Sequence, residues 1–256
     1  AYFIVNNEVK EIKYLSDIKL PSQVFYEVIR LIDGVFLFLE EHLMRLQNSV
    51  KSNFNDLYID FNYITNILLK LKDKNSLSFG NVKLLVYKNV KYNNIEIIAY
   101  EIPHYYPSTE QYLKGVKVSL YEIERKQPNI KYVNNLLQEK CKSEIASKNV
   151  FEVLLVNQNN HITEGSKSNV FFIENDFIFT PPSSYVLKGI TRQHVINICN
   201  KLKYNIIEKD ISIKELNKYS SVFITGTSPK ILPVNSINQY RYNVQNFILQ
   251  SIMKEY

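Results

Sequence analysis

The chain has 256 residues, 45% of them hydrophobic, with 31 Lys and Arg against 25 Asp and Glu and a net charge of +6. That length suits one large domain or two small ones with a well-buried core, and no apolar run approaches the roughly 20 residues of a bilayer span. The positive charges are scattered among acids, which argues against a nucleic-acid surface, though an anionic small-molecule substrate would suit their sign; Cys141 and Cys199 fall in no metal-ligand spacing, so the expectation is a reduced, cytoplasmic protein.

In chain order, residues 1–5 and 9–14 are strand-like. Residues 24–31, the Asp33-Gly34 pair and the apolar return 35–39 predict a β-hairpin. Residues 40–53 predict a helix, with Leu43, Leu46 and Val50 on one face and Glu40 and Glu41 in the first turn. A second helix is expected over 61–71 and strands over 82–86 and 95–99. The Pro- and Tyr-rich stretch from 103 opens an expected linker, 104–115, between an N-terminal domain, 1–103, and a C-terminal domain, 116–256. There, 116–121 reads as a strand and 134–147 as a helix; 153–156, the polar turn 157–160 and 170–173 alternate as a meander would. The turn Asn175-Asp176 leads to a strand over 177–179, followed by a helix at 191–202 and a strand at 222–225. The expected class is α+β, in two mixed domains.

Three segments carry chemistry. Residues 162–169, ITEGSKSN, place Glu164 before glycine and small polar residues. The segment reads either as a strand passing close to a ligand with one acid aimed at it, or as a hairpin edge with an exposed glutamate. In LKGITR, residues 187–192, glycine before a helix start leaves N–H groups free and favours phosphate. Thr191 is there an N-cap or a hydroxyl donor to an oxyanion, and plain capping fits equally well. FITGTSPKILPV, residues 223–234, supplies a second set of small residues at a strand end, the kind that forms anion nests. His104, His161 and His194 have no metal-ligand spacing, and no nucleotide-binding glycine fingerprint is present.

The ordered run EGSKSN, TPP, VLKGITR and FITGTS followed by PV resembles the fold-type IV pyridoxal-phosphate enzymes of the class IV aminotransferase family. That family includes branched-chain and D-amino-acid aminotransferases and aminodeoxychorismate lyases. VFYEVIRLIDG and EEHLMRL resemble its first hairpin and helix, so the likeness covers residues 24–234. It implies a D-amino-acid aminotransferase-like fold, pyridoxal phosphate as cofactor, a homodimer, and amino transfer between an amino acid and a 2-oxo acid. Pyruvate-releasing lyase chemistry and a non-catalytic relative are the alternatives.

The same resemblance assigns roles. Lys131, in NIKYVNNL, matches the lysine that bonds the cofactor; as a catalytic amine it must lose its proton before attacking an aldehyde. Glu164 matches the acid at the pyridine nitrogen, and Arg45 the phosphate-binding arginine. Ile190, Thr191, Gly226 and Thr227 match the rest of the phosphate cup, and Leu187 an aliphatic residue against the ring. Tyr26 matches an active-site tyrosine of the D-amino-acid branch. Read without the resemblance, Arg45 is a surface ion pair with Glu41 and His42 is structural. The chain departs from the family's pattern at SDIKLPSQ before the hairpin, at Leu136, and at VYKN, which carries no substrate-carboxylate arginine.

Overall fold

The computed structural model describes residues 1–55, 57–89 and 91–256, among which the chain forms six α-helices and sixteen β-strands. They separate into two compact units, Ala1–Tyr105 with Ile130–Val133, and Tyr106–Asn129 with Asn134–Tyr256.

Unit 1 contains strands β1 (Tyr2–Val5), β2 (Glu8–Glu11), β3 (Phe25–Ile32), β4 (Val35–Phe36), β5 (Gly80–Asn89) and β6 (Asn94–Ile102), with helices α1 (Leu39–Lys51) and α2 (Phe61–Asn75). The strands pair antiparallel in the order β2-β1-β6-β5-β3-β4. Asp33 and Gly34 have φ of 50° and 76°, left-handed at both central positions, as a tight two-residue hairpin requires. The returning strand is shorter than expected because Phe38, at φ 53°, turns the chain into α1. Glu40 and Glu41 sit at the positive end of that helix and Lys51 at its negative end. Asp60 starts α2 by accepting from the Tyr63 N–H, and left-handed Ser76 stops it four residues later than expected.

Alternation with period two gives the sheet two different faces. On one, Phe25, Ile29, Val82 and Leu84 pack under Leu43, Leu46, Ile64 and Leu68 of the helices. On the other lie Phe3, Leu85, Tyr87 and Ile98, with Tyr26, Tyr100 and Val133 half-buried beside them.

The edge of β3 at Phe25 is covered by the four residues Ile130–Val133. Tyr26 N–H donates to the Lys131 carbonyl at 3.0 Å and Val133 N–H to the Val24 carbonyl at 2.8 Å. Phe25 and Tyr132 form an antiparallel bridge. This differs from the expected C-terminal domain, unbroken from 116 and carrying Lys131. The edge of β3 has backbone groups to satisfy, and this segment satisfies them.

Unit 2 contains α3 (Thr109–Lys114), β7 (Val116–Glu122), α4 (Asn135–Lys148), β8 (Glu152–Val156), β9 (His161–Gly165), β10 (Asn169–Glu174) and β11 (Phe177–Thr180). It continues with α5 (Ile190–Lys201), β12 (Asn205–Glu208), β13 (Ile211–Ser212), β14 (Ser221–Gly226), β15 (Lys230–Ile237), β16 (Tyr240–Arg241) and α6 (Phe247–Glu255). The stretch expected as a linker holds α3, which Ser108 and Gln111 close with a capping box.

The strands run β12-β11-β10-β14-β15-β7-β8-β9-β13, with β16 beside β15. Parallel pairing joins β7 to β15 and β8, and β11 to β12. The expected meander of 153–156 with 170–173 does not form; β8 pairs with β9, while β10 pairs with β11 and β14. Opposite one another on β10 and β14, Phe171 and Phe223 stack at 4.9 Å between ring centres. Around them Val195, Cys199, Leu249 and Ile252 bring α5 and α6 onto the sheet. This packing fixes where α5 starts relative to the ends of β10 and β14.

Candidate active site

In unit 1 the site residues are organised by β3, α1 and the Lys131 segment. Lys131 is fixed through its backbone: its carbonyl accepts from Tyr26, and its N–H donates to Ser49 Oγ of α1 at 3.3 Å. Its Nζ lies 4.6 Å from the centre of the Tyr26 ring, so the structure brings Lys131 and Tyr26 together. A second amine, Lys83 Nζ on β5, lies 5.2 Å from the same ring.

Glu27, one residue beyond Tyr26, points to the opposite face of β3 and is fully buried under α1. It accepts from Arg45 Nε and Nη2, both at 2.7 Å, and from His42 Nδ1 at 2.8 Å. Arg45 therefore makes a forked contact with Glu27, the geometry guanidinium and carboxylate share. Burial alone would raise the Glu27 pKa, but the charge of Arg45 and the contact with His42 outweigh it and hold the carboxyl well below its ordinary value. Burial keeps His42 below the usual histidine pKa; Glu27 opposes that shift, while the charges of Arg45 and Lys131 add to it. His42 is thus a neutral imidazole whose Nδ1–H donates to Glu27, a tautomer assigned from the bond it makes. The structural reading of His42 agrees with this.

In unit 2, Glu164 stands in β9 with only 2% of its surface exposed, which rules out the exposed hairpin edge. Its Oε1 accepts from Arg125 Nε at 2.7 Å and its Oε2 from the Leu187 N–H at 3.0 Å. The Leu187 carbonyl accepts from Asn169 Nδ2 at 2.9 Å, so both backbone groups of Leu187 are tied. Asn169 in turn is the cross-strand neighbour of Thr225 at the end of β14. A Cβ on Gly189 would meet Asn169 Oδ1 at 2.1 Å, so no side chain fits there without displacing it. One buried asparagine thus joins the Leu187 segment that holds Glu164, the entry to α5 and the β14 end.

Gly189, in extended conformation, is the N-cap of α5 and offers no side-chain cap. Ile190 and Thr191 open the helix, so their N–H groups have no partner within it. Thr191 is a buried first-turn residue rather than the N-cap. Gly226 ends β14, and Thr227 follows in the turn to β15. Thr225 Oγ1 is buried and has no hydrogen-bond partner among the described residues, a state that calls for an explanation. Helix amides without an intrahelical partner, hydroxyls and small residues form a donor set that fits the phosphate of pyridoxal phosphate, and the carboxylate of Glu164 fits its pyridine nitrogen.

Sequence reasoning missed Glu27, Arg125, Asn169 and Lys83. For Glu27 there was a signal: a lone carboxylate in step with the buried positions of FYEVIRLI. Arg125 meets Glu164 across 39 residues of sequence, and nothing local in ERKQPN marks it.

Residues 24–237 match the family model described as amino-transferase class IV. The chain is 29% identical over 249 residues to a D-alanine aminotransferase of Bacillus licheniformis, covering 90% of this chain and 88% of that one. Among solved structures, it superposes on a branched-chain amino acid aminotransferase from Escherichia coli with a TM-score of 0.83 and 21% identity, covering 99% and 92% of the two chains. A putative 4-amino-4-deoxychorismate lyase from Legionella pneumophila gives 0.81 at 22% identity, covering 94% and 96%. The chain belongs to the class IV aminotransferase family and is a pyridoxal-phosphate-dependent transaminase of fold type IV.

Proposed function

We propose that the chain transfers an amino group between an amino acid and a 2-oxo acid with Lys131 as the cofactor-bearing amine. The observation that carries this reading is the fixed backbone of Lys131, with its Nζ 4.6 Å from the Tyr26 ring. When bound, pyridoxal phosphate supplies an aldehyde for that amine and a pyridinium ring that draws electrons from the substrate's α-carbon. Lys131 would hold the cofactor and, with its amine free, would move the proton at the substrate's α-carbon. Tyr26 keeps the Lys131 side chain in place through its ring face. Glu164, its two oxygens held by Arg125 and Leu187, keeps a proton on the pyridine nitrogen. In this reading Leu187 would lie against the ring; Arg45, locked by Glu27, would bind the phosphate, as would Ile190, Thr191, Gly226 and Thr227.

Replacing Lys131 with Ala abolishes turnover while leaving part of the cofactor affinity, since the phosphate and pyridine contacts remain. Amine–ketone exchange by the variant at the wild-type rate would reject the assignment. Pyruvate release from aminodeoxychorismate with no amino acceptor present would replace transfer by lyase chemistry.

A homodimer is part of the same reading, supported by the family likeness and by the exposed apolar side chains Val35, Phe38 and Met44; light scattering showing a monomer would count against it. The free cysteines Cys141 and Cys199, both buried, support a place in the reducing cytoplasm.

A further inference from the structure

Of the three buried glutamates among the described residues, Glu27 and Glu164 each face an arginine, and Glu152 faces none. Glu152 opens β8 with 5% of its surface exposed, and no cation among the described residues pairs with it. Its surroundings are hydroxyls and an amide. Ser166 Oγ donates to its Oε1, Ser168 Oγ to its Oε2 at 3.3 Å, and the Val153 N–H to its Oε1 at 3.1 Å. Burial raises the Glu152 pKa above the ordinary carboxylate value, and the bonds from Ser166 and Val153 offset that only in part. A carboxyl kept inside the fold without a counter-charge is costly, which calls for an explanation.

Both serines belong to the turn 166–168 that joins β9 to β10. Its backbone is tied on two sides: the Gly165 N–H donates to the Ser168 carbonyl at 2.7 Å, and the Ser166 N–H to the Val153 carbonyl at 3.0 Å. Gly165 lets Glu152 come this close, since a Cβ there would meet Ser168 Oγ at 2.1 Å and Glu152 Cγ at 3.3 Å. At one end of the turn, the Ser166 carbonyl accepts from Arg125 Nη2 at 3.3 Å, and the Nε of that guanidinium donates to Glu164. At the other, the Lys167 carbonyl packs against Gly226, 3.3 Å from where a Cβ on that glycine would stand. One turn therefore touches both the arginine that holds Glu164 and the glycine that ends β14.

We propose that Glu152 is a positioning residue for the cofactor: by hydrogen bonds to Ser166 and Ser168 it fixes the turn that sets Arg125, and through it Glu164, relative to Gly226. The proposal rests on the reading of Glu164 and Gly226 as cofactor contacts. An amide of the same shape can make the same bonds, whereas an apolar side chain of similar volume cannot.

The test compares wild type, Glu152→Leu and Glu152→Gln, first without cofactor and then titrated with pyridoxal phosphate. Glu152→Leu removes an unpaired buried carboxyl, so the urea midpoint of the cofactor-free protein should hold or rise. Cofactor affinity, read from absorbance, should nevertheless fall about tenfold. The circular dichroism of the visible band, per cofactor bound, should weaken as the ring is held less firmly. With saturating cofactor, kcat should fall about tenfold while KM for amino donor and 2-oxo acceptor changes much less. Glu152→Gln should return affinity to within about threefold of wild type. Ser166→Ala, which removes one donor to Glu152, should shift affinity the same way by about fivefold, and serves where the leucine variant does not fold.

Wild-type affinity and dichroism in Glu152→Leu overturn the proposal. So does a lowered urea midpoint with cofactor binding unchanged, which would give Glu152 to the fold alone, and so does a glutamine variant that binds no better than the leucine one. Wild-type protein that takes up no pyridoxal phosphate would sink the parent reading. Wild type that takes it up, with binding indifferent to Glu152 and Ser166, would sink only this one.

Discussion

Two buried places, one in each unit, treat their polar groups in opposite ways. In unit 1, Glu27 is closed: fully buried, each oxygen occupied, its charge matched by Arg45 and its second bond made by His42. In unit 2, the Thr225 hydroxyl and the first amides of α5 are left open among the described residues. A saturated carboxylate fixes shape and has little left to give a ligand, whereas unsatisfied donors cost the empty fold stability and gain it back when an acceptor docks. The contrast separates a carboxylate spent on the fold from donors that the fold leaves unspent.

The most severe way to break that contrast is Glu27→Gln. It leaves Arg45 buried without its counter-charge, and loss of one member of a buried pair costs about 3–5 kcal/mol. Urea unfolding should show the midpoint falling by that equivalent; an unmoved midpoint would mean the network contributes nothing to the fold. The same network predicts how acid acts. Glu27 is held below the ordinary value of 4.5, so its stabilisation is complete above that pH and fades as pH falls further. His42 is held below 6.5, so the unfolded chain takes up its proton first and stability starts to drop once pH passes under 6.5. Acid unfolding followed by circular dichroism should therefore show a shallow decline below 6.5 and a steeper one below 4.5, and Glu27→Gln should flatten the second.

Gly189→Ala tests the hub in unit 2. The added methyl drives Asn169 off its bond to Leu187, so affinity for pyridoxal phosphate should drop about tenfold, read from the cofactor's absorbance during titration. Unchanged affinity would mean that Asn169 does not organise the cup.

Thr225→Val is the mildest and sharpest test, because valine keeps the shape and removes only the hydroxyl. The protein without cofactor should keep its stability to within about 0.5 kcal/mol, while cofactor affinity falls about fivefold, the worth of one neutral hydrogen bond. The reverse outcome, lower stability with affinity intact, would show that the hydroxyl serves the fold.

Much of the scaffold was legible because it depends on short-range physics. The alternation of β3 and β5, the Asp33-Gly34 turn, the face of α1 and the span of α5 all follow from periods and turn chemistry. What failed depends on long-range pairing. The segment of β9 reads equally as a strand near a ligand or an exposed hairpin edge, and only its burial between β8 and β13 decides for the buried strand. Pro233 hid β15, since proline seldom enters a strand; here it lies opposite Phe223, where the ladder continues around it. The names of the site residues came from an ordered set of motifs, but their partners did not. Glu27, Arg125 and Asn169 earn their places only once distant strands are brought side by side.

The excursion of Ile130–Val133 has a consequence for how the molecule is made. The chain leaves unit 1 at Tyr105, begins unit 2, returns for four residues and departs again at Asn134. On a ribosome, the N-terminal half therefore emerges with one strand rim uncovered, and its repair must wait until later residues have been translated. No single cut separates the two halves as interchangeable modules, because a break anywhere between 106 and 129 strands Lys131 with the wrong piece.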